Sequence, residues 1–361
     1  MTPKAKPGIV KTSEPNPVFP YQSLLIAEIR EETTGFKSII FAEGHNLSYE
    51  PGQFLTLVDN RESREIRRSY SITSSPVLNE RLSIAVKRIA NGYFSRNLVD
   101  RARVGDRLLT TGVGGFFRLP ENIKSFAAIF FFAAGSGIAP ILSLIKTVLR
   151  LYPDISVFLI YSNRSVAATA FYDELNQMKN RFPDQLHIDF LFSSESDLRR
   201  ARLNRDLLME FLTINSYQRE KTLFYTCGPE TYMRMIRFHL VEEGFPDENI
   251  KKEDFNPGNK KVIDRMPPDK NDFPVQLNLR GERFDIAVHY PESILQAARK
   301  LKLNLPYSCE TGKCGSCAAF CISGKVWLSN NEVLTEKDLA NGLTLTCTGH
   351  PQSSDVILKI G

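Results

Sequence analysis

The grouping of cysteines near the C-terminus constrains this chain more than any other feature. Of six cysteines, five fall within residues 309–347, and Cys227 lies apart from them. Such crowding does not match a disulfide framework, in which cysteines are spread through a small secreted domain. Thiolates are also metal ligands, and Gly312 and Gly315 permit a tight loop between neighbouring sulfurs. The sequence therefore predicts a metal centre in this segment.

The spacing of four of these cysteines indicates the kind of centre. It reads Cys-x4-Cys-x2-Cys-x29-Cys and involves Cys309, Cys314, Cys317 and Cys347. This spacing is typical of plant-type 2Fe–2S centres, which four thiolates hold and which carry one electron at a time. The alternative is a four-cysteine zinc site, but such sites usually pair two short Cys-x2–4-Cys knuckles, and Cys347 has no partner of that kind. Cys321 is predicted to be a buried thiol on the following strand, which we favour over a role as substitute ligand.

Length and composition indicate how many domains the chain can form and which partners it is expected to bind. The 361 residues suffice for two or three domains, and 42% hydrophobic with 24% charged residues is close to the globular average. The net charge is only +5 and no run of Lys or Arg exceeds two residues, so nucleic acid is not an expected partner.

The sequence shows neither a secretion signal nor a membrane span. No apolar stretch follows the charged N-terminus, so we expect a cytoplasmic protein. The apolar segment 126–149 contains Gly-Ser-Gly, Pro140 and Lys146, which interrupt it within the length that a span requires. It is predicted as a buried strand, a turn and a helix.

The chain is predicted to be multidomain, because three blocks differ in hydrophobic pattern. Short alternating runs such as 54–58, 69–73 and 82–89 fill the first block and are typical of an antiparallel β-barrel. In the second block, apolar strand-length runs alternate with helix-length segments, which predicts an α/β domain with a parallel sheet. A third block holds the cysteine loop. We place an N-terminal extension at 1–17, the blocks at 18–121, 122–255 and 276–361, and an exposed linker at 256–275.

Two strand–turn–helix sequences in the second block are candidate phosphate-binding turns. The first is GSGIAP at 135–140, where backbone N–H groups and a helix N-terminus can receive a pyrophosphate. It departs from the dinucleotide fingerprint by ending in Pro140, which suits a first helical turn. The second is Cys227-Gly228-Pro229. Taken alone, each is equally consistent with a structural turn, and Cys227 with a buried structural thiol.

These motifs resemble two known families. YSCETGKCGSCAAFCISGKV followed by LTCTGHP resembles a plant-type ferredoxin domain, which implies an α+β (β-grasp) fold for the third block. GSGIAP together with YTCGPE resembles the pyridine-nucleotide domain of the ferredoxin–NADP reductase superfamily. That resemblance implies a nucleotide site in the second block. It also implies that Cys227 lies near the nicotinamide, which makes Cys227 a candidate catalytic residue. The implied nucleotide-binding residues are Gly135, Gly137, Pro140, Cys227, Gly228 and Pro229.

The first block is then expected to hold a flavin, because a hydride carries two electrons whereas a 2Fe–2S cluster accepts one. Arg68-Ser69-Tyr70-Ser71 resembles the flavin motif of the same superfamily. The resemblance implies that Tyr70 covers the isoalloxazine ring, that Ser71 lies near flavin N5, and that Arg68 pairs with phosphate. Tyr70 and Ser71 are therefore also candidate catalytic residues.

Three further segments extend the resemblance to the flavin. Residues 87–95 resemble the second flavin motif, whose turn receives the pyrophosphate, and this favours FAD over FMN. Gly114–Phe117 fits the turn that closes the flavin domain, and Glu253 and Phe255 match the Glu-x-Phe that ends the nucleotide domain near the flavin. The candidate flavin-binding residues in the second motif are Lys87, Gly92, Phe94 and Ser95.

The nucleotide is expected to be NADPH in preference to NADH. After the run ISVFLIY the chain reads Ser162-Asn163-Arg164-Ser165, with no Asp or Glu to bind a ribose 2′-OH. Ser162 and Arg164 are candidate cofactor-binding residues, because an Arg at this point suits a 2′-phosphate. Arg199, Arg200 and Arg202 could add to the same anion site or form a solvated face.

The order of flavin block, nucleotide block, linker and ferredoxin block resembles the reductases of multicomponent oxygenases, such as those of the phenylacetyl-CoA monooxygenase type. The resemblance implies an NAD(P)H-dependent oxidoreductase that passes electrons from NADPH through FAD to a 2Fe–2S cluster and on to an external acceptor such as an oxygenase component. Two alternatives stay open: a membrane-bound hydroxylase or desaturase as acceptor, and a non-enzymatic metal-binding module. Residues 276–361 hold nine basic and eight acidic residues, so the sequence does not predict strong electrostatic docking to the acceptor.

Overall fold

The computed structural model describes residues 21–62, 64–197, 199–214, 218–255, 265–279 and 281–360. They form three large sheets, one for each predicted block, of six, five and five strands. The predicted extension 1–17 and residues 256–264 of the predicted linker lie outside the described residues.

The first sheet is an antiparallel barrel, as the alternating runs predicted. Its strand order is β4-β3-β6-β1-β2-β5, and a bridge between Ile72 and Ile84 joins the two ends. Alternate residues such as Leu55 and Leu57 point inward and are fully buried, which follows from the two-residue period of a strand. The elements are β1 (Gln22–Thr33), β2 (Phe36–Phe41), β3 (Phe54–Glu62), β4 (Arg64–Ser71), β5 (Ser83–Lys87), α1 (Tyr93–Arg96) and β6 (Arg107–Gly114).

The second sheet is parallel and covered by helices on both faces. Phe131 packs into the core on one face, whereas Phe130 and Phe132 pack into the core on the other, which explains the continuous apolar run of this strand. The strand order is β11-β10-β7-β8-β9. The elements are β7 (Ala128–Ala134), α2 (Ile138–Leu151), β8 (Ser156–Asn163), α3 (Tyr172–Arg181), β9 (Leu186–Phe192), α4 (Arg205–Ile214), β10 (Thr222–Cys227), α5 (Glu230–Glu242) and β11 (Ile250–Glu253).

The third sheet is mixed and packs on one helix, which is the α+β arrangement that the resemblance implied. Its order is β13-β12-β18-β14-β16, with β12 and β18 parallel. β12 begins at Phe273, inside the segment predicted as linker. The elements are β12 (Phe273–Leu279), β13 (Glu282–Val288), α6 (Ile294–Lys300), β14 (Ala318–Ser323), β15 (Val326–Leu328), α7 (Glu336–Ala340), β16 (Leu343–Leu345), β17 (Gly349–Pro351) and β18 (Val356–Ile360).

The segment 126–149 forms β7, a short turn and α2, as predicted. In the described part of the chain, we find no helix with the length and apolar character needed to cross a membrane.

Candidate redox sites

The four predicted metal ligands form two pairs of thiols. Cys317 Sγ lies 3.1 Å from Cys347 Sγ, and the Cys309 and Cys314 side chains are hydrogen-bonded to each other. Among the described residues, no three His, Cys, Asp or Glu side chains converge as ligands of a single ion. A zinc site needs four ligands around one metal, whereas a 2Fe–2S cluster is a two-iron centre held by four thiolates. The paired arrangement therefore fits the cluster better than zinc.

Backbone N–H groups already point at the sulfurs in this loop. The N–H of Thr311 donates to Cys309 Sγ at 3.4 Å, and the N–H of Ser316 donates to Cys314 Sγ at 3.5 Å. Such donors offset negative charge on bound thiolates. The hydrogen bond between Cys314 and Cys309 lowers the pKa of Cys309 and raises that of Cys314. The two backbone N–H donors are placed to stabilise thiolates in this loop.

Two glycines allow the loop its path. Gly312 and Gly315 have φ of +74° and +72°, a left-handed region that side chains disfavour. A Cβ on Gly315 would lie 2.5 Å from the Phe116 ring, so the loop meets the flavin domain there. Cys321 lies on β14, as predicted, and is partly buried with its Sγ directed to the Ser323 carbonyl at 3.2 Å.

The predicted flavin strand β4 presents different side chains on its two faces. Arg68 is exposed, while Tyr70 packs toward Phe94 of α1 with ring centroids 6.1 Å apart. Burial raises the pKa of the Tyr70 hydroxyl, so this residue stays neutral and works as an aromatic surface. Ser71 is buried at the end of the strand. Arg67, Ser69 and Ser71 lie on the face opposite to Arg68 and Tyr70, as the two-residue period of a strand requires.

The second flavin motif forms a tight turn into α1. Ser95 Oγ accepts a hydrogen bond from the Ile89 N–H at 3.1 Å and donates to the Gly92 carbonyl at 3.2 Å. A Cβ on Gly92 would lie 2.6 Å from that hydroxyl, so the turn requires glycine. Lys87 extends away from this turn, and its Nζ comes within 3.5 Å of the Cβ position at Gly135. The ammonium group therefore also lies beside the nucleotide turn.

The two predicted nucleotide turns pack against each other. They follow β7 and β10, which are neighbouring parallel strands. A Cβ on Gly137 would lie 2.0 Å from the Cys227 carbonyl oxygen, and one on Gly228 would lie 2.9 Å from the Ala134 Cβ. Pro140 lies in the first turn of α2. Strand order reverses between β7 and β10, and in open α/β sheets ligands bind at such switch points, beyond the carboxyl ends of the strands.

Two buried polar atoms at the carboxyl ends of β10 and β11 have no hydrogen-bond partner among the described residues. They are Thr226 Oγ1 and Glu253 Oε2. Strand register aligns Ser162 with Ala134, and Cys227 with both Ala133 and Glu253. Buried polar groups are normally hydrogen-bonded, so atoms of this kind indicate a place where a ligand supplies the missing partners.

Two titratable groups in this region are held neutral by burial. Burial raises the pKa of the Glu253 carboxyl to about 8. Burial, with a further contribution from the nearby Asp254 charge, raises the pKa of the Cys227 thiol well above its ordinary value. Cys227 is fully buried among core residues of the nucleotide domain. Phe255 follows β11 and is exposed.

Two of the arginines that follow β8 and β9 have different surroundings. Arg164 is exposed directly after β8, beside Ser162. Arg200 forms ion pairs with Asp189 at 3.5 Å and Glu210 at 3.3 Å, which favours the solvated-face alternative for this residue.

The structure adds three residues that sequence reasoning missed. Tyr161 donates its hydroxyl to the Gly135 carbonyl at 3.0 Å, which braces the first nucleotide turn. Arg67 and Ser69 contact the ferredoxin domain. Strand alternation next to the flavin motif could have identified Arg67 and Ser69, whereas no signal identified Tyr161.

Three family profiles match consecutive parts of the chain. They describe an oxidoreductase FAD-binding domain at 26–118, an oxidoreductase NAD-binding domain at 131–237 and a 2Fe-2S iron-sulfur cluster binding domain at 277–352. The orphaned polar atoms at the strand ends and the paired thiols fit these groups. The chain is an oxidoreductase with sites for FAD, a nicotinamide nucleotide and a 2Fe–2S cluster.

Relatives extend over nearly the whole chain. One component of the 1,2-phenylacetyl-CoA epoxidase of Escherichia coli is 32% identical over 346 residues, which are 94% of this chain and 97% of that protein. The ferredoxin reductase component of 3-ketosteroid-9-alpha-monooxygenase from Mycobacterium tuberculosis is 31% identical over 348 residues, covering 92% of this chain and 94% of that one. The chain belongs to the ferredoxin–NADP reductase superfamily, among the members with a C-terminal plant-type ferredoxin domain. Phthalate dioxygenase reductase shares its fold, with a TM-score of 0.58 and 24% identity over 94% of this chain and 98% of that one.

Proposed function

We propose that this chain is the reductase component of an oxygenase system, which takes hydride from NADPH and delivers single electrons to a separate oxygenase. One observation carries this proposal: residues 67–75, which include the flavin motif, contact both other domains. Ser69 Oγ lies 2.8 Å from Ser308 Oγ, next to the cluster ligand Cys309. Six residues further on, Ser75 Oγ lies 2.7 Å from Thr147 Oγ1 of the nucleotide-domain helix α2. A flavin held by this strand would lie between the electron donor and the cluster.

Residues of the barrel are proposed to bind the flavin. FAD, when bound, would accept an electron pair as hydride and release electrons one at a time. Tyr70 supplies a neutral aromatic surface backed by Phe94, and Ser71, the next residue, supplies a buried hydroxyl at the end of the strand. Arg68 is exposed at the same edge, where its guanidinium can pair with phosphate. The turn at Gly92 and Ser95 is proposed to receive the pyrophosphate.

Residues at the carboxyl edge of the parallel sheet are proposed to bind the nucleotide. The Gly135–Gly137 turn and the N-terminal end of α2 would hold the pyrophosphate, with Lys87 adding a positive charge from the barrel. Cys227, Gly228, Pro229, Glu253 and Phe255 form the edge proposed to face the nicotinamide. Cys227 acts there as a neutral buried group, because burial keeps its thiol protonated. Hydride transfer then depends on positioning and exclusion of water, with no strong acid–base pair.

Arg164 is proposed to select NADPH. It is exposed immediately after β8, and the neighbouring side chains at 162, 163 and 165 are uncharged. Arg164→Ala should lower the preference for NADPH over NADH by about tenfold, a change of about 1.4 kcal/mol. Arg237→Ala is the control, because Arg237 is an exposed arginine of the same domain that pairs with Asp247. Steady-state kinetics with both nucleotides measures the ratio, and an unchanged ratio in Arg164→Ala would remove Arg164 from the site.

An oxygenase component is proposed as the acceptor because the relatives named above are components of an epoxidase and a monooxygenase. Near balance of charge in residues 276–361 indicates a contact that does not rely on strong electrostatic attraction. Adding salt should therefore change the rate of electron delivery only slightly.

Anaerobic stopped-flow mixing with NADPH tests the proposed function. Flavin absorption should decrease first, and cluster absorption should decrease afterwards as electrons arrive singly. Purified protein that lacks flavin or cluster, or a cluster that stays oxidised while nucleotide is consumed, would disprove the proposal. Electron delivery is then measured with an oxygenase component and with cytochrome c as a nonspecific acceptor.

A further inference from the structure

Arg67 is a buried charged residue that belongs to none of the cofactor motifs. It is 4% exposed and lies on β4, on the face opposite to Arg68 and Tyr70. Its guanidinium pairs with Glu65 on the same strand. A charged side chain buried to this degree is tolerated in a folded protein when its charge is paired and its hydrogen-bonding groups have partners.

The remaining partners of Arg67 come from the ferredoxin domain. Nη1 donates to the Leu305 carbonyl at 3.2 Å, and Nη2 donates to Asn304 Oδ1. The guanidinium also lies over the Tyr307 ring, 3.9 Å from its centroid. These three residues lie between two and five positions before the first cluster ligand, Cys309. One rigid fork therefore holds the chain that leads into the cluster loop.

Ser69 adds a second contact on the same face of β4. Its Oγ lies 2.8 Å from Ser308 Oγ, and Ser308 is the residue directly before Cys309. Tyr307 donates its hydroxyl to Glu65 at 3.3 Å, so the ion pair and the ring belong to one network. On the other side of the loop, Gly315 lies against the Phe116 ring. The cluster loop is thus held on both sides of Cys309 and Cys314.

We propose that Arg67 and Ser69 are positioning residues that dock the cluster loop on the flavin strand and so set the rate at which electrons pass between the two centres. This inference rests on the proposed function. It assigns separate tasks to side chains on opposite faces of one strand: Arg68 and Tyr70 bind the flavin, whereas Arg67 and Ser69 fix the cluster loop. Displacements of about 1 Å can reduce the rate of a positioned reaction by about a hundredfold.

The test compares variants in which the docking contact is removed but every cofactor-binding residue is kept. Ser69→Ala, Ser308→Ala and the double variant remove the hydroxyl contact with little change in volume. Arg67→Lys keeps the charge but cannot reproduce the fork, because lysine has no planar pair of donors. Arg81→Gln is the matched control, since Arg81 is an exposed arginine of the same barrel that pairs with Glu28.

Three measurements on the protein with its cofactors bound distinguish a loss of docking from damage to the flavin site or to the cluster. Flavin reduction by NADPH should stay within about twofold of the parent, whereas cluster reduction should slow by about tenfold or more in Arg67→Lys and by less in Ser69→Ala. Hydrogen–deuterium exchange should increase at residues 303–309 in the variants and stay unchanged in Arg81→Gln. The cluster potential and its electron paramagnetic resonance spectrum should not change, because its ligands are intact.

The serine variants give a second criterion. If the two hydroxyls act through one contact, the double variant should slow cluster reduction no more than either single variant does. Unchanged cluster reduction in Ser69→Ala and Arg67→Lys would overturn the proposal, as would slowing accompanied by an altered cluster potential. A parent protein whose cluster is never reduced would instead overturn the proposed function, and exchange at 303–309 would still test the docking contact.

Discussion

The nucleotide domain and the ferredoxin domain both pack on the flavin barrel, but through different chemistry. On the nucleotide side the contacts are largely between uncharged hydroxyl and carbonyl groups. The Ser75 and Thr147 hydroxyl oxygens are hydrogen-bonded at 2.7 Å, and the Ser143 hydroxyl donates to the Ser74 carbonyl at 2.6 Å. All four residues are buried. Lys146, which is also buried, adds one ion pair at the margin of this contact, to the partly exposed Glu80 at 3.1 Å.

On the ferredoxin side the central contact is a buried cation. Arg67 depends on Glu65, on Asn304 and Leu305, and on the Tyr307 ring. Removing one partner of a buried ion leaves its charge incompletely compensated, which destabilises the contact strongly. Neutral hydroxyl pairs cost less to bury and do not titrate near neutral pH. We therefore expect the nucleotide domain to be held firmly under all conditions and the ferredoxin domain to be the more separable part.

The largest predicted effect is loss of the cluster from the ferredoxin domain without loss of the flavin from the barrel. Cys347→Ser should abolish cluster absorption, because Cys347 forms one of the two thiol pairs with Cys317. Flavin content and flavin reduction by NADPH should be retained, since those sites lie in the other two domains. Visible spectra and iron content measure the loss.

Cys321→Ser is the matched control, because its thiol is bonded to the Ser323 carbonyl and lies outside both pairs. Cluster retention in Cys347→Ser together with cluster loss in Cys321→Ser would show that the ligand assignment is wrong.

The next effect concerns Glu253, a titrating group at the end of β11 in the nucleotide domain. Burial raises its folded-state pKa to about 8, from an ordinary value of 4.5. Its contribution to stability is fully present below about pH 4.5 and decreases as pH rises toward 8, because the folded state holds a proton that the unfolded state has lost. Glu253→Gln should therefore stabilise the flavin-free protein at pH 8.5 by on the order of 2–4 kcal/mol relative to the parent.

Urea unfolding followed by circular dichroism at pH 5 and pH 8.5 measures this difference. Glu220→Gln, at an exposed position of the same domain, is the control. Equal pH dependence in parent and Glu253→Gln would contradict the buried, protonated carboxyl.

A smaller effect is predicted at the hydroxyl contact between barrel and nucleotide domain. Thr147→Val keeps the side-chain shape but leaves the buried Ser75 hydroxyl without its partner, which should cost about 1–3 kcal/mol. The loss should be the same at pH 6 and pH 8, because neither group titrates there. Thr213→Val, at an exposed position of α4, should change the free energy of unfolding much less. A loss of stability that varies between pH 6 and pH 8 would contradict the conclusion that the barrel–nucleotide contact depends on groups that do not titrate.

The smallest effect is an acid weakening of the ferredoxin contact. Burial alone would raise the pKa of Glu65, but hydrogen bonds from Tyr21 and Arg67 outweigh it and hold that pKa below its ordinary 4.5. The stability that Glu65 contributes is present above about pH 4.5 and is lost as pH falls through its lower folded-state pKa. We expect a loss below about 1 kcal/mol, since Glu65 is partly exposed.

Hydrogen–deuterium exchange at residues 303–309, compared between pH 6 and pH 4 and corrected for intrinsic rates, measures this opening. Peptides covering 73–78 at the nucleotide interface are the internal reference. Equal protection of 303–309 at both pH values would indicate that the ferredoxin contact does not depend on the Glu65 charge.

Much of the fold and part of the candidate site could be predicted from local sequence. The ligand spacing of Cys309, Cys314 and Cys317 is a property of one short loop, and the strand–turn–helix at Gly135–Pro140 follows from an apolar run broken by two glycines. The alternating and continuous apolar runs predicted the barrel and the parallel sheet for the same reason, since side-chain periodicity is set by the backbone of each element.

Contacts between distant segments could not be predicted in this way. Nothing near Gly137 in the sequence indicates that the Cys227 carbonyl would lie 2.0 Å from a Cβ at that position. The same holds for Arg67, whose neighbours in sequence suggest a flavin-binding strand while its partners are at 304–307.

The sequence by itself determined which cofactors the chain has sites for, because thiol spacing, glycine turns and strand periodicity are local chemical requirements. Only the tertiary structure decided how those sites are joined: it paired the thiols in twos, set the nucleotide turns against each other and directed one face of β4 to the cluster loop. The physical reason is that docking depends on which surfaces meet after folding. A residue such as Arg67 acquires its partners only when separate domains bury it together.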